Sequence, residues 1–154
     1  MGNRAIVTTA EKKLGIYLHW NGGRDSVEAF LAYCALKGYR SLTGDPAYGF
    51  ARLAQVVGNF FGGGLSVGIV AGEEIEGMAA GLDNGVYIVD GWRIVGREFP
   101  YEGYEDGRCR DLAAWLRAID GRQPECERIG ERIAAGEQKQ TREEHQSCLM
   151  PASI

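Results

Sequence analysis

The residues best suited to binding a ligand lie where a predicted strand gives way to a predicted helix. Gly22 and Gly23 follow the alternating segment at 14–20, and Arg24 stands at the expected start of the helix. The first N–H groups of a helix have no partner within it, and the helix dipole places a partial positive charge there. Together with the guanidinium of Arg24, these groups predict a seat for a phosphate or another small anion.

The same segment resembles the phosphate loop of the PP-loop ATP pyrophosphatases, Ser-Gly-Gly-x-Asp-Ser. The match covers four residues, Gly22, Gly23, Asp25 and Ser26. Asn21 stands where that family has serine, and Arg24 where lysine is common. The family's fold is a large parallel sheet of strand–helix units, which the order of elements here does not match. A glycine turn followed by a capping box, with Asp25 as N-cap and Glu28 three residues later, explains the pattern without a ligand.

Two aromatic residues are candidates for stacking on a base. Phe60 lies one step off the apolar stripe of its predicted helix, beside Asn59 and ahead of three glycines, and Trp20 ends the predicted strand. Stacking of a base on an aromatic ring contributes roughly 1–3 kcal/mol. The alternative is that Phe60 and Phe61 both belong to the core and the glycines only end the helix.

Polar residues flank a second predicted turn. Asp83 and Asn84 precede a hairpin, and Arg97 lies beyond it. Asn21, Asn59, Asp83 and Asn84 are candidates for bonding ribose hydroxyls, and Arg97 is a candidate for meeting a phosphate. Alternatively, Asn84 begins a simple turn, and Arg97 pairs with Glu98 or Glu102.

Composition limits the classes of function. The chain has 154 residues, 45% of them hydrophobic, which suits a single globular domain. Its formal net charge of -4 disfavours broad binding to nucleic acid or to an anionic membrane. An anion would bind only where cations and N–H groups are concentrated locally.

Catalytic and metal-binding motifs are not recognisable in the sequence. The four cysteines and two histidines show no short paired spacing of the kind that zinc sites use, so no metal or cofactor is expected. No serine stands in a nucleophile-elbow setting, and no clear acid–base pair is present. The start of the chain lacks a signal-peptide pattern, and no apolar run approaches 18 residues. We therefore expect a non-enzymatic protein with free cysteines in a reducing cytoplasm.

The order of predicted elements favours an α+β fold. Segments 4–9 and 14–20 are predicted as strands, followed by two helices that bury Val27, Phe30 and Leu31 in the first and Phe50 and Leu53 in the second. A strand at 65–71 and an acidic exposed loop at 72–83 come next. Residues 86–95 predict a hairpin with a type I′ turn at Asp-Gly, in which Trp92 is a cross-strand packing residue.

The C-terminal part is predicted as helical and then frayed. A third helix presents Leu112, Trp115, Leu116 and Ile119, and a fourth runs from about Pro124 to Ala135. Together these elements predict an antiparallel sheet, a meander with the Asp-Gly hairpin, packed on one face by N-terminal and C-terminal helices. Residues 1–136 are expected to form one ligand-binding domain, and 137–154 a frayed or disordered polar tail.

Several stretches resemble a family encoded by phages and mobile elements. They are LHWNGGRDSVEAFL at 18–31, VGNFFGG at 57–63, DNGVYIV at 83–89 and VGREF at 95–99. On these residues the chain, over about 3–120, resembles the phage Thoeris anti-defence sponge proteins. The resemblance implies capture of cyclic ADP-ribose isomers such as glycocyclic ADP-ribose, or of cyclic oligonucleotides, by a homodimer or larger homo-oligomer in the cytoplasm of the bacterial host.

The sequence thus leads to three hypotheses. The first is a sponge that sequesters a small anionic nucleotide signal, with no membrane or bulk nucleic acid as partner. Its expected binding residues are Trp20, Asn21, Gly23, Arg24, Asp25, Asn59, Phe60, Asp83, Asn84 and Arg97. The second is a PP-loop-like nucleotide enzyme. The third is an anti-CRISPR or another inhibitor that blocks a protein surface.

Overall fold

The computed structural model describes residues 2–63, 66–98, 109 and 111–136. Strands and helices alternate irregularly along the chain. They are β1 (Ala5–Thr8), β2 (Leu14–Leu18), α1 (Arg24–Leu36), α2 (Pro46–Phe61), β3 (Val67–Ala71), α3 (Gly72–Ala79), β4 (Val86–Asp90), β5 (Arg93–Glu98) and α4 (Leu112–Arg122). A 3₁₀ turn at Glu125–Glu127 and a last helical segment, α5 (130–136), follow.

The five described strands form one sheet in the order β3-β2-β1-β4-β5. β1 and β2 are an antiparallel hairpin, β3 adds to β2 antiparallel, and β5 adds to β4 antiparallel. β1 and β4 pair in parallel, and this pairing joins strands β3, β2 and β1 to the hairpin of β4 and β5. The α+β class with a mostly antiparallel sheet is therefore confirmed.

Described helices α1, α2 and α4 cover one face of the sheet, and Ile133 of α5 joins the same core. Alternate residues of β1 and β4, including Val7 and Tyr87, point into a core formed with α1, α2 and α4. The stripe predicted on α1 is buried as expected, with Phe30 among its largest members. Burying such a side chain contributes about 1.5–3 kcal/mol. α2 begins at the predicted cap, where the Asp45 carboxylate accepts the N–H of Tyr48.

A helix that the sequence pattern did not predict covers the opposite face. Residues 72–79 form α3 rather than an exposed loop, so the prediction of a loop at 72–83 was wrong. Ile75 and Ala79, one turn apart, pack on Ile6 and Val70 of the sheet. Because only two residues of this short helix are buried, its acidic and small residues masked the helical period. The sheet is consequently covered on both faces.

The hairpin forms at the predicted place with a different turn. Asp90 pairs with Arg93, so the two central residues are Gly91 and Trp92, rather than Asp90 and Gly91. Only Gly91 has a positive φ, 63°, which excludes type I′ and matches type II′, a turn that needs glycine at its first central position. Trp92 therefore lies in the turn rather than on a strand.

The C-terminal helices are fixed to α1 by a buried polar contact. The Tyr33 hydroxyl donates to Asp120 Oδ1 at 2.7 Å, and the same oxygen accepts the N–H of Ile129 at 2.9 Å. Burial and this contact raise the pKa of Tyr33.

The predicted fourth helix is divided into the 3₁₀ turn and α5. The predicted tail, 137–154, lies outside the described residues.

Candidate functional site

The glycine turn before α1 is a packed corner of the fold. The Gly22 N–H donates to the carbonyl of Asn3 at 2.8 Å, and a Cβ on Gly22 would lie 2.5 Å from that carbonyl oxygen. Asn21 adopts a φ of 54°, in the left-handed region. The Tyr87 hydroxyl donates to the Gly22 carbonyl at 2.9 Å. The glycine at position 22 is therefore required by close backbone packing, whether or not a ligand binds.

The amino end of α1 carries the carboxylate of Asp25 at the place where the sequence predicted that an anionic ligand would bind. Gly23 is the N-cap and no side chain caps the helix, so the predicted capping box of Asp25 and Glu28 does not form. Asp25 Oδ1 instead accepts the N–H of Ser26 at 2.8 Å and lies 2.9 Å from the position of a Cβ on Gly23. This negative charge over the first turn disfavours a phosphate at the same place.

Arg24 lines a cleft beside α1, where it is paired with a carboxylate. Its guanidinium Nε lies 3.8 Å from Glu28 Oε2, one helical turn further on, and its side chain is 20% exposed. Glu28 Oε2 also accepts the N–H of Cys109 at 3.4 Å. Arg24 is thus held in place at the wall of this cleft.

Asp83 and Asn84 belong to a polar network at the end of the sheet where β1 and β4 begin. Asp83 accepts the N–H and the guanidinium Nε of Arg4, each at 2.9 Å. These hydrogen bonds lower the pKa of Asp83 to about 2. The fully buried Asn84 donates its amide to Asn3. The two residues therefore join the start of β4 to the start of β1.

Arg97 is part of the same network. Its Nε donates to the Asn84 carbonyl at 2.8 Å, and its guanidinium lies 4.9 Å from the centre of the Tyr87 ring. Because Tyr87 also bonds Gly22, the structure brings Arg97, Asn84 and the glycine turn together. It does so through hydrogen bonds that the protein makes to itself. Of the two carboxylates considered as alternative partners of Arg97, Glu98 pairs with Lys12, and Glu102 lies outside the described residues.

Asn59 and Phe60 are placed in the helical layer. Asn59 donates to Gln123 Oε1 at 3.0 Å, which ties the end of α2 to the end of α4. Phe60 packs edge-to-face on Phe30, with ring centres 5.3 Å apart, and also contacts Trp115. This packing supports the alternative in which Phe60 belongs to the core. Neither residue lies with the network of Asn84 and Arg97.

Trp20 is placed on the surface beside the glycine turn. Its side chain is 43% exposed, and its ring meets that of His19 edge-on at 5.0 Å. His19 Nδ1 lies 2.9 Å from the Tyr17 hydroxyl, which fixes the imidazole. Trp20 is thus an accessible aromatic residue.

A cleft of about 530 Å³ lies between α1, β5, α4 and α5. Its floor is apolar. The residues that form the floor include Leu31, Ala32, Ala35, Ile94, Leu112 and Leu116. A volume of this size falls within the range of small-molecule sites, about 300–1,000 Å³.

Charged side chains line the same cleft. Among the described residues they are Arg24, Arg93 and Arg132, together with the carboxylate of Glu28, so this described part of the lining carries a net positive charge. Arg93 and Arg132 are exposed residues of β5 and α5. An apolar floor lowers the local dielectric constant and strengthens the attraction of these cations for an anion.

An aromatic wall completes the cleft. Trp92 lines it from the hairpin turn, and its indole N–H donates to the carbonyl of Tyr39 at 2.9 Å. This hydrogen bond holds the ring in one orientation, and a fixed ring stacks on a flat ligand at a low entropic cost.

Most residues of the cleft were not predicted from the sequence. Among the residues that line the cleft, only Arg24 was expected to bind a ligand. Arg93 and Arg132 come from elements far apart in the chain, and no local spacing connects them. Trp92 was interpreted as a packing residue because the turn was placed one residue too early.

Within the described ranges no three His, Cys, Asp or Glu side chains form a group that could hold a metal ion. In the same ranges no helix is both long and apolar enough to span a bilayer. Comparisons with protein-family models, with curated proteins and with solved structures find no match.

Proposed function

We propose that the protein binds a small anionic nucleotide in the cleft between α1, β5, α4 and α5 and holds it unchanged. The observation that carries this proposal is the combination of three arginines, one fixed indole and an apolar floor around a single cavity. The site differs from the seat predicted at the glycine turn, although Arg24 belongs to both.

The charge and shape of the cleft fit the parts of a nucleotide. Arg93 and Arg132 offer guanidinium groups, which bind phosphate oxygens in a bidentate geometry. Trp92 offers a flat ring to a base. Glu28 offers carboxylate oxygens, which accept hydrogen bonds from ribose hydroxyls, as acidic residues do in dinucleotide-binding folds. An inorganic anion would leave the apolar floor and the indole unused.

The proposal that the ligand is sequestered, rather than converted, rests on the sequence. The stretches at 18–31, 57–63, 83–89 and 95–99 resemble the Thoeris sponge proteins, and no nucleophile or acid–base motif accompanies them. A sponge must compete with the receptor of the signal. Sequestration of that kind requires a nanomolar dissociation constant, or about −12 kcal/mol.

The direct test is calorimetry with a panel of nucleotides, followed by recovery of the ligand. The panel contains cyclic ADP-ribose, glycocyclic ADP-ribose, a cyclic dinucleotide, AMP and inorganic phosphate. We expect at least one cyclic nucleotide to bind with nanomolar affinity and to be released intact on heating. Recovery of a converted product would favour the enzyme hypothesis, and no binding of any nucleotide would favour an inhibitor of a protein target.

A matched pair of arginine variants tests the location of the site. Arg132→Ala removes a cation from the cleft, whereas Arg52→Ala removes one from the outer face of α2, where it contacts Gln55 and Tyr48. A hydrogen bond to a charged group is worth about 1.5–3 kcal/mol, so Arg132→Ala should weaken binding about 10- to 100-fold. The Arg52→Ala variant should bind as the wild type does. Equal effects of both changes would show only a general dependence on charge.

A further inference from the structure

Among the strands that the structure describes, one edge of the sheet is formed by an uncharged strand with an exposed isoleucine at its centre. β3 has the sequence VGIVA, and Ile69, the middle residue, is 59% exposed. An edge strand presents main-chain N–H and C=O groups that are free to pair with another strand. β3 contains no charged residue, proline or bulge that would discourage such pairing.

The opposite edge of the sheet is protected. β5 carries Arg93, Arg97 and Glu98, and its pairing with β4 is irregular between Ile88 and Val89. Charged residues and bulges of this kind are how edge strands avoid pairing with other chains. Val95 is 63% exposed on this protected edge, so exposure of an apolar residue alone does not distinguish the two strands.

The hydrogen bonds beside β3 show which of its residues face outward. The His19 N–H donates to the carbonyl of Ser66, and the Gly72 N–H donates to the carbonyl of Lys13. Alternate residues of an antiparallel strand bond to the same side, so residues 66, 68, 70 and 72 bond toward β2. The main-chain groups of Val67, Ile69 and Ala71 therefore point away from the sheet.

We propose that β3 pairs antiparallel with β3 of a second copy of this chain, about a two-fold axis at Ile69. In this register Ile69 lies opposite Ile69 of the second copy, and Val67 lies opposite Ala71. The outward N–H and C=O groups of these three residues then pair across the axis, and the sheet continues through both copies. The exposed isoleucines cover one another.

A second copy fits this edge because the strand is self-complementary. A two-fold interface brings each residue against the same surface of its partner, so a charged strand would repel itself. β3 has no charge to repel, and its exposed apolar residue lies at the centre, where the axis requires it. This pairing is independent of the nucleotide cleft, because no residue of β3 lines that cleft.

Sedimentation equilibrium at micromolar concentration tests the proposal with two matched variants. The wild type is expected to be a dimer. Ile69→Lys places two like charges on the axis and removes two isoleucines, so its dimer dissociation constant should rise about 100-fold or more. Val95→Lys makes the same change on the other edge and should remain a dimer. A monomeric wild type, or dissociation of both variants, would overturn the proposal.

Cross-linking tests the register and does not depend on affinity alone. The Cα atoms of a hydrogen-bonded antiparallel pair lie about 5.5 Å apart, within the range that a disulfide spans. An Ile69→Cys variant should therefore form a covalent dimer under mild oxidation, beyond any formed by the wild type. A Val67→Cys variant should not, since residue 67 lies opposite residue 71. Cross-linking of Val67→Cys, but not of Ile69→Cys, would refute this register.

Discussion

Two arginines on one strand, Arg97 and Arg93, serve different purposes. At the C-terminal end of β5, Arg97 donates to Asn84 and lies over the ring of Tyr87. At the N-terminal end, Arg93 is exposed and lines the cleft. The sequence singled out Arg97, whereas the surroundings of Arg93 are better suited to an anion. Which cation is available to a ligand is thus decided by tertiary neighbours.

The largest expected effect is on the packed turn at Gly22. This turn is bonded by Tyr87, whose ring lies against Arg97 at the C-terminal end of β5. Gly22→Ala would place a Cβ 2.5 Å from the carbonyl oxygen of Asn3, and overpacking against the backbone should destabilise the fold by about 3 kcal/mol. Gly58→Ala, in an open position on α2, should instead stabilise it by about 0.5–1 kcal/mol. Urea unfolding measures both changes. A tolerated Gly22→Ala would show that the corner is not closely packed.

The next largest effect is the difference between Arg97→Ala and Arg93→Ala in the free energy of unfolding. Arg97→Ala removes hydrogen bonds to the buried Asn84 and should cost about 2 kcal/mol in the free energy of unfolding. Arg93→Ala removes an exposed side chain and should change it by less than about 0.5 kcal/mol. Equal costs, measured by the same urea titration, would remove the distinction between the two ends of β5.

A smaller effect concerns the carboxylate of the cleft. If Glu28 accepts a ribose hydroxyl, the wild type should bind a ribonucleotide about tenfold more tightly than its 2′-deoxy analogue. Glu28→Gln should reduce this preference, because a neutral acceptor binds a hydroxyl less strongly. Calorimetry with the two nucleotides gives the ratio. An unchanged ratio would separate Glu28 from the ribose.

The smallest expected effect is a dependence of the free energy of unfolding on pH, which arises from Asp83 in the polar network with Arg4. The folded pKa of Asp83 is about 2, below its ordinary value near 4, because Arg4 donates to it. Its contribution to stability is present above about pH 4 and is lost as the pH falls toward 2. Asp83→Asn should flatten the fall in stability over this interval. Both side chains are more than one third exposed, so the difference should be small and should shrink at high salt.

The sequence predicted the elements better than it predicted their use. The stripe of α1 and the cap at Asp45 follow local rules and were confirmed. α3 was missed because two buried residues in a small and acidic segment give no clear period. The cleft was missed because its residues come from four elements, and no spacing along the chain shows that Arg93 and Arg132 meet.

Binding of glycocyclic ADP-ribose to the Arg93→Ala and Arg97→Ala variants is the most direct test of the proposed site. Both changes remove one arginine from the same strand. We expect Arg93→Ala to weaken binding by about tenfold or more, and Arg97→Ala, where folded, to bind as the wild type does. Wild-type affinity in the Arg93→Ala variant, together with lost affinity in a folded Arg97→Ala variant, would place the ligand at the network and contradict the cleft.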